Sequence, residues 1–349
     1  MSITLTDQDV GGKLENYSYT VCNNNSDNTT KSVRGLIYKD NIPFVKAFGY
    51  TPVYTTVTIP DDVKKNINTN IKKFRYFYSL EGTLLRLYYN DVNDKWYIST
   101  HKKIDASNSR WGSKYTYGQL FNKVLPPNFY DTLDKTFVYM FILTPNEDNR
   151  IVCKTYLNNI FHVATYDSNF NISYDYNINI QRPQEIPIDS YNQIESIVNE
   201  NTFPYDTFQG IIICDPESQS NIKIYNQMYE NLTSVRGNTA SIAFRYLQLR
   251  NNIDEVNKLY SLFPTHTREF ENYEIYIELI CKKLFNLYMT RHVHKQYTEL
   301  PPPEHHILKI AHNWHKLDKK NNKMSLNKIT ELVNKQEAPL LNSLIKLNK

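Results

Sequence analysis

Three features of this 349-residue sequence could do chemistry. The first is the run His101-Lys102-Lys103-Ile104-Asp105-Ala106-Ser107-Asn108-Ser109-Arg110-Trp111. It is basic and carries an aromatic residue, so Lys102, Lys103 and Arg110 are candidates for phosphate contact, and Trp111 or Trp96 offers a ring on which a base could stack. A surface loop capped by a buried tryptophan fits the same residues, and both readings stay open. The second feature is the group His292, His294, His305, His306, His312 and His315. Zinc takes four nitrogen and sulfur donors. None of the four cysteines (Cys22, Cys153, Cys214 and Cys281) lies near these histidines or forms a Cys-x-x-Cys pair. His312 and His315 sit in a basic helical stretch. The expectation is therefore no metal, but a basic surface that gains charge at mildly acidic pH. The third feature is charge itself. From Lys282 onward 13 Lys/Arg stand against 5 Asp/Glu, whereas the first 250 residues hold 25 of each. A basic tail on a neutral body suits a polyanion, and a solvated lysine-rich helical face accounts for it equally.

Two kinds of element must position these groups. Residues 1–32 read as a flexible segment, with a polar loop at Asn23–Thr30. From Arg34 to about Ile224 the sequence reads as short strands and turns. Thr83–Tyr89 and Lys95–Thr100 flank a polar turn, Val138–Thr144 and Ile151–Tyr156 flank Pro145–Asn149, and Ile211–Ile213 and Ile222–Tyr225 flank Asp215–Asn221. Each pair predicts a hairpin. After about Arg236 the period changes: Phe270, Tyr273, Ile277, Ile280, Leu284 and Leu287 fall on one helical stripe. That stripe reads as core, with a partner-binding groove as the other reading. Pro301-Pro302-Pro303 breaks the chain before helices over roughly Glu304–Lys316 and from about Ser325. The expectation is an α+β, antiparallel-rich domain over 33–235 and an all-helical, basic domain over 236–349. At this length no disulfide or metal is needed to hold a core. The N-terminus has no apolar h-region and no run is long enough for a membrane span, so a soluble, cytoplasmic protein is expected. The 28 tyrosines, with abundant Asn, Lys and Ile, point to AT-rich coding rather than to an aromatic RNA surface.

Read in order, the body carries Val33-Arg34-Gly35-Leu36-Ile37-Tyr38, Ser79-Leu80-Glu81-Gly82-Thr83-Leu84, Tyr139-Met140-Phe141-Ile142-Leu143-Thr144, Phe208-Gln209-Gly210-Ile211-Ile212 and Ile222-Lys223-Ile224-Tyr225. The series, over roughly residues 33–226, resembles the motif ladder of phage-type RNA ligases, within the RNA-ligase and mRNA-capping group of covalent nucleotidyltransferases. The flavour of the sequence, including Ser234–Asn238 to Arg245–Leu247, also resembles uncharacterised proteins of large DNA viruses. The resemblance implies a nucleotidyltransferase fold. In that family a lysine attacks the α-phosphate of a nucleoside triphosphate, carboxylates hold ribose and Mg²⁺, and a Lys-x-Lys pair grips the phosphate. Here the nucleophile position falls on Ser79, one carboxylate position on Ile142, the Glu-Gly position on Gln209-Gly210 and the second lysine on Tyr225. Arg34, Glu81, Gly82 and Lys223 remain. Neither Lys46 nor Lys72-Lys73 stands at the spacing the motif needs.

The resemblance thus implies the fold without the reaction. Arg34, Glu81, Arg86 and Lys223 are expected to line a nucleotide or phosphate pocket, with Glu81–Arg86 as a structural pair the other reading. Lys102, Lys103, Arg110, Trp111 and Arg236 are expected to contact RNA. The expected function is non-catalytic binding of single-stranded RNA or its 5′ end or cap. No cofactor and no membrane are involved, and viral proteins are further partners. A cap would need two facing aromatic rings. The alternatives are an active ligase or guanylyltransferase with a relocated lysine, and a protein-interaction scaffold in a viral replication or translation complex.

Overall fold

The computed structural model describes residues 3–20, 22–23, 26–145, 149–154, 159–200 and 202–349. The chain divides into two compact units, Met1–Ser234 and Val235–Lys349. The first unit carries the strands β1 Ile3–Gln8, β2 Leu14–Tyr19, β3 Arg34–Lys39, β4 Ile42–Val45, β5 Val53–Thr55, β6 Arg75–Ser79, β7 Thr83–Asn90, β8 Lys95–Ser99, β9 Val138–Leu143, β10 Ile160–Tyr166, β11 Ile172–Ser173, β12 Gly210–Asp215 and β13 Ser220–Tyr225. They form three sheets, ordered β1-β2-β3-β4, β11-β10-β9-β7-β8 and β5-β13-β12-β6. Every pairing is antiparallel except β13 with β5. The architecture is α+β. No helix among the described residues is long and apolar enough to cross a membrane.

Alternation along the strands builds two layers of core. On β7 and β9, Leu85, Leu87, Tyr139, Phe141 and Leu143 pack under the helix Tyr117–Lys123 through Leu120 and Phe121. The opposite face carries Tyr88, Val138 and Met140 into a second cluster with Phe48, Tyr166, Tyr174 and Cys214. Strands β6, β12 and β13 turn Tyr76, Ile211, Ile213 and Ile224 toward the helices Asp61–Thr69 and Tyr191–Asn199. Their other face, with Phe77 and Ile212, meets the second cluster. Burying this many aliphatic and aromatic side chains, each worth ~1.5–3 kcal/mol, is what fixes the sheets.

Two of the three expected hairpins stand. β7 pairs β8 from Arg86↔Ser99 to Asn90↔Lys95, and β12 pairs β13 from Gly210↔Tyr225 to Asp215↔Ser220. The third is different. Ile151–Lys154 is irregular, residues 146–148 of the expected turn and 155–158 lie outside the described residues, and the partner of β9 is β10. The reason is a distant partner: the amides of Ile151, Val152 and Cys153 donate to the Glu81 carboxylate rather than to a ladder.

Residues 1–32, expected to be flexible, supply β1 and β2. The buried face of β2 is Leu14, Asn16 and Ser18. Asn16 Nδ2 donates to Thr6 Oγ1 at 2.7 Å and to the His101 carbonyl at 3.2 Å. A strand seated by hydrogen bonds escapes a search for hydrophobic period. In the loop expected at Asn23–Thr30, residues 24 and 25 lie outside the described residues. Asp27 there caps the short helix Asn28–Ser32, its carboxylate accepting from Thr30 N at 2.8 Å.

The second unit is helical. Its long helix, Thr267–Tyr288, buries Phe270, Tyr273, Ile277, Ile280 and Leu284, while Leu287 is half-buried and Cys281 and Tyr288 are buried instead. The chain breaks where expected, residues 294–301 being irregular, and Pro302 and Pro303 follow the break. They form the first turn of the helix Pro302–Leu317, where their missing N–H groups and fixed φ cost nothing. Ser325 Oγ caps Leu326–Asn334 by accepting from Lys328 N at 3.2 Å, and Ala338–Asn348 follows.

Candidate functional site

A cavity of about 260 Å³ opens in the first unit, between the sheet bearing β6, β12 and β13 and the sheet bearing β7, β9 and β10. That is just below the ~300–1,000 Å³ of pockets for drug-sized ligands. Its walls are aromatic. Phe48 lies nearly parallel to Tyr174, with centroids 6.4 Å apart at 16°, and Phe77 flanks Tyr174 at 6.3 Å and 27°. Arg34 of β3 and Lys223 of β13 add positive charge.

Lys223 is one end of a chain of hydrogen bonds. Its Nζ donates to Gln209 Oε1 at 2.8 Å, and Ser79 Oγ donates to the same oxygen at 2.9 Å. Gln209 Nε2 donates to the Tyr229 hydroxyl at 2.7 Å, and that hydroxyl donates to Glu81 Oε2 at 3.0 Å. The directions follow from one another. A carboxylate only accepts, so Tyr229 must donate to it and accept from the Gln209 amide. That leaves Oε1 facing Ser79 and Lys223. Gly210 makes the register possible. Its φ is +154°, and a Cβ there would stand 2.0 Å from the Ile224 carbonyl oxygen.

Burial first, and the Arg34 charge second, push Lys223 down to about 8, against the opposing pull of Glu81, Cys153 and Cys214. Its side chain is half-buried and lines the cavity. Among the described residues no hydrogen bond or ion pair holds the Arg34 guanidinium, which is also half-buried on the cavity wall.

The structure separates the four residues expected to form the pocket. Arg34 and Lys223 line it. Glu81 does not: it is 5% exposed, and its carboxylate accepts from Ile151 N at 2.5 Å, Val152 N at 2.9 Å, Cys153 N at 3.0 Å and Tyr229. Arg86 is fully buried, giving Nη1 to the Gly35 carbonyl and Nη2 to the Thr100 carbonyl at 2.5 Å. Burial lowers its guanidinium to about 10. The two residues therefore brace separate pieces of backbone, and among the described residues they form no ion pair with each other. Gly82 sits where a Cβ would come within 2.5 Å of the Leu143 carbonyl oxygen, so the glycine serves close strand approach. Ile142, at the position where the resemblance expects a carboxylate, lines the cavity as hydrocarbon.

The expected RNA-contact residues also divide. Lys102, Lys103 and Arg110 are exposed and Trp111 is half-buried, on a loop apart from the cavity lining. Lys103 pairs with Asp7 at 3.1 Å. Arg236 is a correction. It is fully buried in the second unit, donating to the Thr239 carbonyl at 2.5 Å and lying 5.6 Å from the Phe263 ring centre, so it cannot meet RNA. His292 is a second correction. His292 and His312 stack face to face at 3.9 Å, and His315 Nδ1 lies 2.7 Å from the Asn322 carbonyl. Desolvation and neighbouring cations push His292 down to about 4 and His312 below its ordinary value. At about 4, His292 stays neutral at mildly acidic pH.

Sequence reasoning missed the aromatic wall and the charged rim. At the rim Arg75 binds Glu185 through Nε at 2.8 Å and Nη2 at 2.5 Å, and Asp175 through Nη1 at 2.7 Å. Arg182 joins Asp175 at 3.5 Å. These residues come from β6 and from the irregular segment after β11. No local pattern announces that they meet.

No family model matches the chain. Two viral proteins are similar to it. One, an immediate-early protein ICP-46 homolog of invertebrate iridescent virus 3, is 29% identical over 294 residues, covering 79% of this chain and 63% of that protein. The other, an ICP-46 homolog of invertebrate iridescent virus 6 that is also described as an immediate-early protein, is 25% identical over 361 residues, covering 90% and 76%. The chain thus spans less than two thirds of the first relative's length and about three quarters of the second's. Among solved structures, an archaeal ATP-dependent RNA ligase is similar at 8% identity with a TM-score of 0.44, over 78% of this chain and 71% of that one. A putative ATP-dependent DNA ligase from Aquifex aeolicus is similar at 12% identity and 0.44, over 76% and 71%. Both likenesses are remote.

Proposed function

We propose that the first unit is a receptor for a nucleotide end of RNA that holds the end without transferring it, acting as a viral protein in the cytoplasm or viral factory of an infected cell. The observation that carries the reading is that Arg34, whose guanidinium has no hydrogen bond or ion pair among the described residues, and Lys223 line one cavity with Phe48, Tyr174 and Phe77. A phosphate finds a permanent cation in Arg34 and a titrating donor in Lys223, and a base finds ring faces to stack on. Lys102, Lys103 and Arg110 supply further backbone contacts on the exposed loop. Ser79, at the position the resemblance gives to the nucleophile, spends its hydroxyl proton on Gln209 Oε1, which favours binding over nucleotidyl transfer.

One observation favours the enzyme alternative: the lowered amine of Lys223 faces the cavity and could act as a relocated nucleophile. The test is fluorescence-anisotropy titration of short RNAs with 5′-hydroxyl, triphosphate or cap ends, beside a denaturing gel after incubation with labelled ATP and GTP. End-dependent binding without an adduct supports the receptor. A labelled adduct favours the enzyme, and neither result leaves the scaffold.

A further inference from the structure

We propose that Lys223 is a reactive amine that condenses with phosphate-bearing aldehydes in this cavity, with Arg34 holding the phosphate and Nζ attacking the carbonyl carbon. The inference rests on the anion-binding half of the reading above. It adds a covalent chemistry and a substrate class, of which the ring-opened sugar of a base-free nucleotide end is one member.

Three observations converge. Among the described residues Nζ has a single hydrogen-bond acceptor, Gln209 Oε1 at 2.8 Å, and no carboxylate pairs with it. Gln209 cannot rotate its oxygen away, because Tyr229 and Glu81 fix the amide from behind. The amine is thus aimed into the cavity by a neutral acceptor that does not hold it charged. Arg34 lines the same cavity and is near enough to depress the amine, so a phosphate on the guanidinium brings the rest of a small molecule to Nζ.

The step balances without any oxidant or reductant. The neutral amine adds to the carbonyl carbon, the C–N bond forms, and the oxygen takes a proton from solvent at the cavity mouth. Water then leaves with that oxygen, and a protonated imine remains. A lysine desolvated beside another cation is the general device for such a nucleophile. The charged or titratable groups facing Nζ are Arg34 from β3, Glu81 after β6, Cys153 from the irregular segment, Cys214 from β12 and Tyr225 from β13 itself. With Lys223 at about 8, roughly half the amine is neutral at pH 8, against well under ~1% for an ordinary lysine. A weaker base is a weaker nucleophile, so a net gain of about tenfold remains.

The test is labelling of the full chain at pH 8 with pyridoxal 5′-phosphate and, separately, with pyridoxal, followed by borohydride reduction and peptide mapping. Lys223 is expected to carry at least about ten times the label of any other lysine with the phosphate-bearing probe, and about tenfold less with pyridoxal. Arg34→Met should erase the difference between the probes, and AMP should protect. Lys223→Arg keeps the charge and should lose the label while retaining the far-ultraviolet spectrum. Label spread evenly over surface lysines overturns the proposal, and RNA-end binding in the anisotropy assay would survive that result. Equal labelling of Lys223 by both probes also overturns it as stated, and removes the anion-binding reading with it.

Discussion

Glu81 and Lys223 stand at opposite ends of one hydrogen-bond chain, and they do opposite work. The carboxylate is closed: three backbone amides and a tyrosine hydroxyl converge on it. The amine is open: it has one neutral acceptor and a cavity in front of it. A buried charge satisfied on every side holds structure together. A charge left short of partners beside a cavity is held ready for a ligand. Sequence reasoning gave both residues the same role, and only the packing distinguishes them.

The comparison is tested most severely at its closed end. Glu81→Ala leaves three buried amides without an acceptor and should cost roughly 3–5 kcal/mol. Lys223→Met should cost little or nothing. Denaturant unfolding of the two variants checks this, and equal losses would break the distinction. At the open end, Arg34→Met should leave stability unchanged while weakening binding of triphosphate-ended RNA about 10–100-fold, as expected when one charge-assisted hydrogen bond to phosphate is removed. Loss of folding in that variant would move Arg34 to the structural side.

The pH response sharpens the same point. Lys223 is held below its ordinary value, so the unfolded chain binds the extra proton more readily. Stability should therefore rise as pH increases from about 7 toward 10, by roughly 1–2 kcal/mol after allowance for solvent screening at a half-buried amine. In Lys223→Met this slope should flatten, which urea titrations at several pH values would read. The smallest effect is expected on the exposed loop. Replacing Lys102 and Lys103 by alanine should reduce the salt dependence of RNA binding by one to two phosphate contacts and leave end preference intact.

Much of the fold was legible because its signals are local. The β7–β8 and β12–β13 hairpins have alternating apolar strands around polar turns, and the long helix of the second unit has its stripe. What was missed depends on partners far away in sequence. β2 is seated by Asn16 reaching His101, and the strand expected after residue 150 gives way to Glu81. The cavity was legible only in part. Arg34 and Lys223 were found through motif order, but the Phe48, Phe77 and Tyr174 wall is assembled from three separate stretches. Tyr229, which orients Gln209, lies in a helix that carries no motif.

The central claim is that the cavity receives a nucleotide end. The most direct measurement is the affinity of matched short RNAs, 5′-triphosphate against 5′-hydroxyl, for the wild type and for Arg34→Met at two salt concentrations. Tighter binding of the triphosphate end is expected, persisting at the higher salt and disappearing in the variant. Equal affinity for both ends in the wild type, falling together as salt rises, would contradict it.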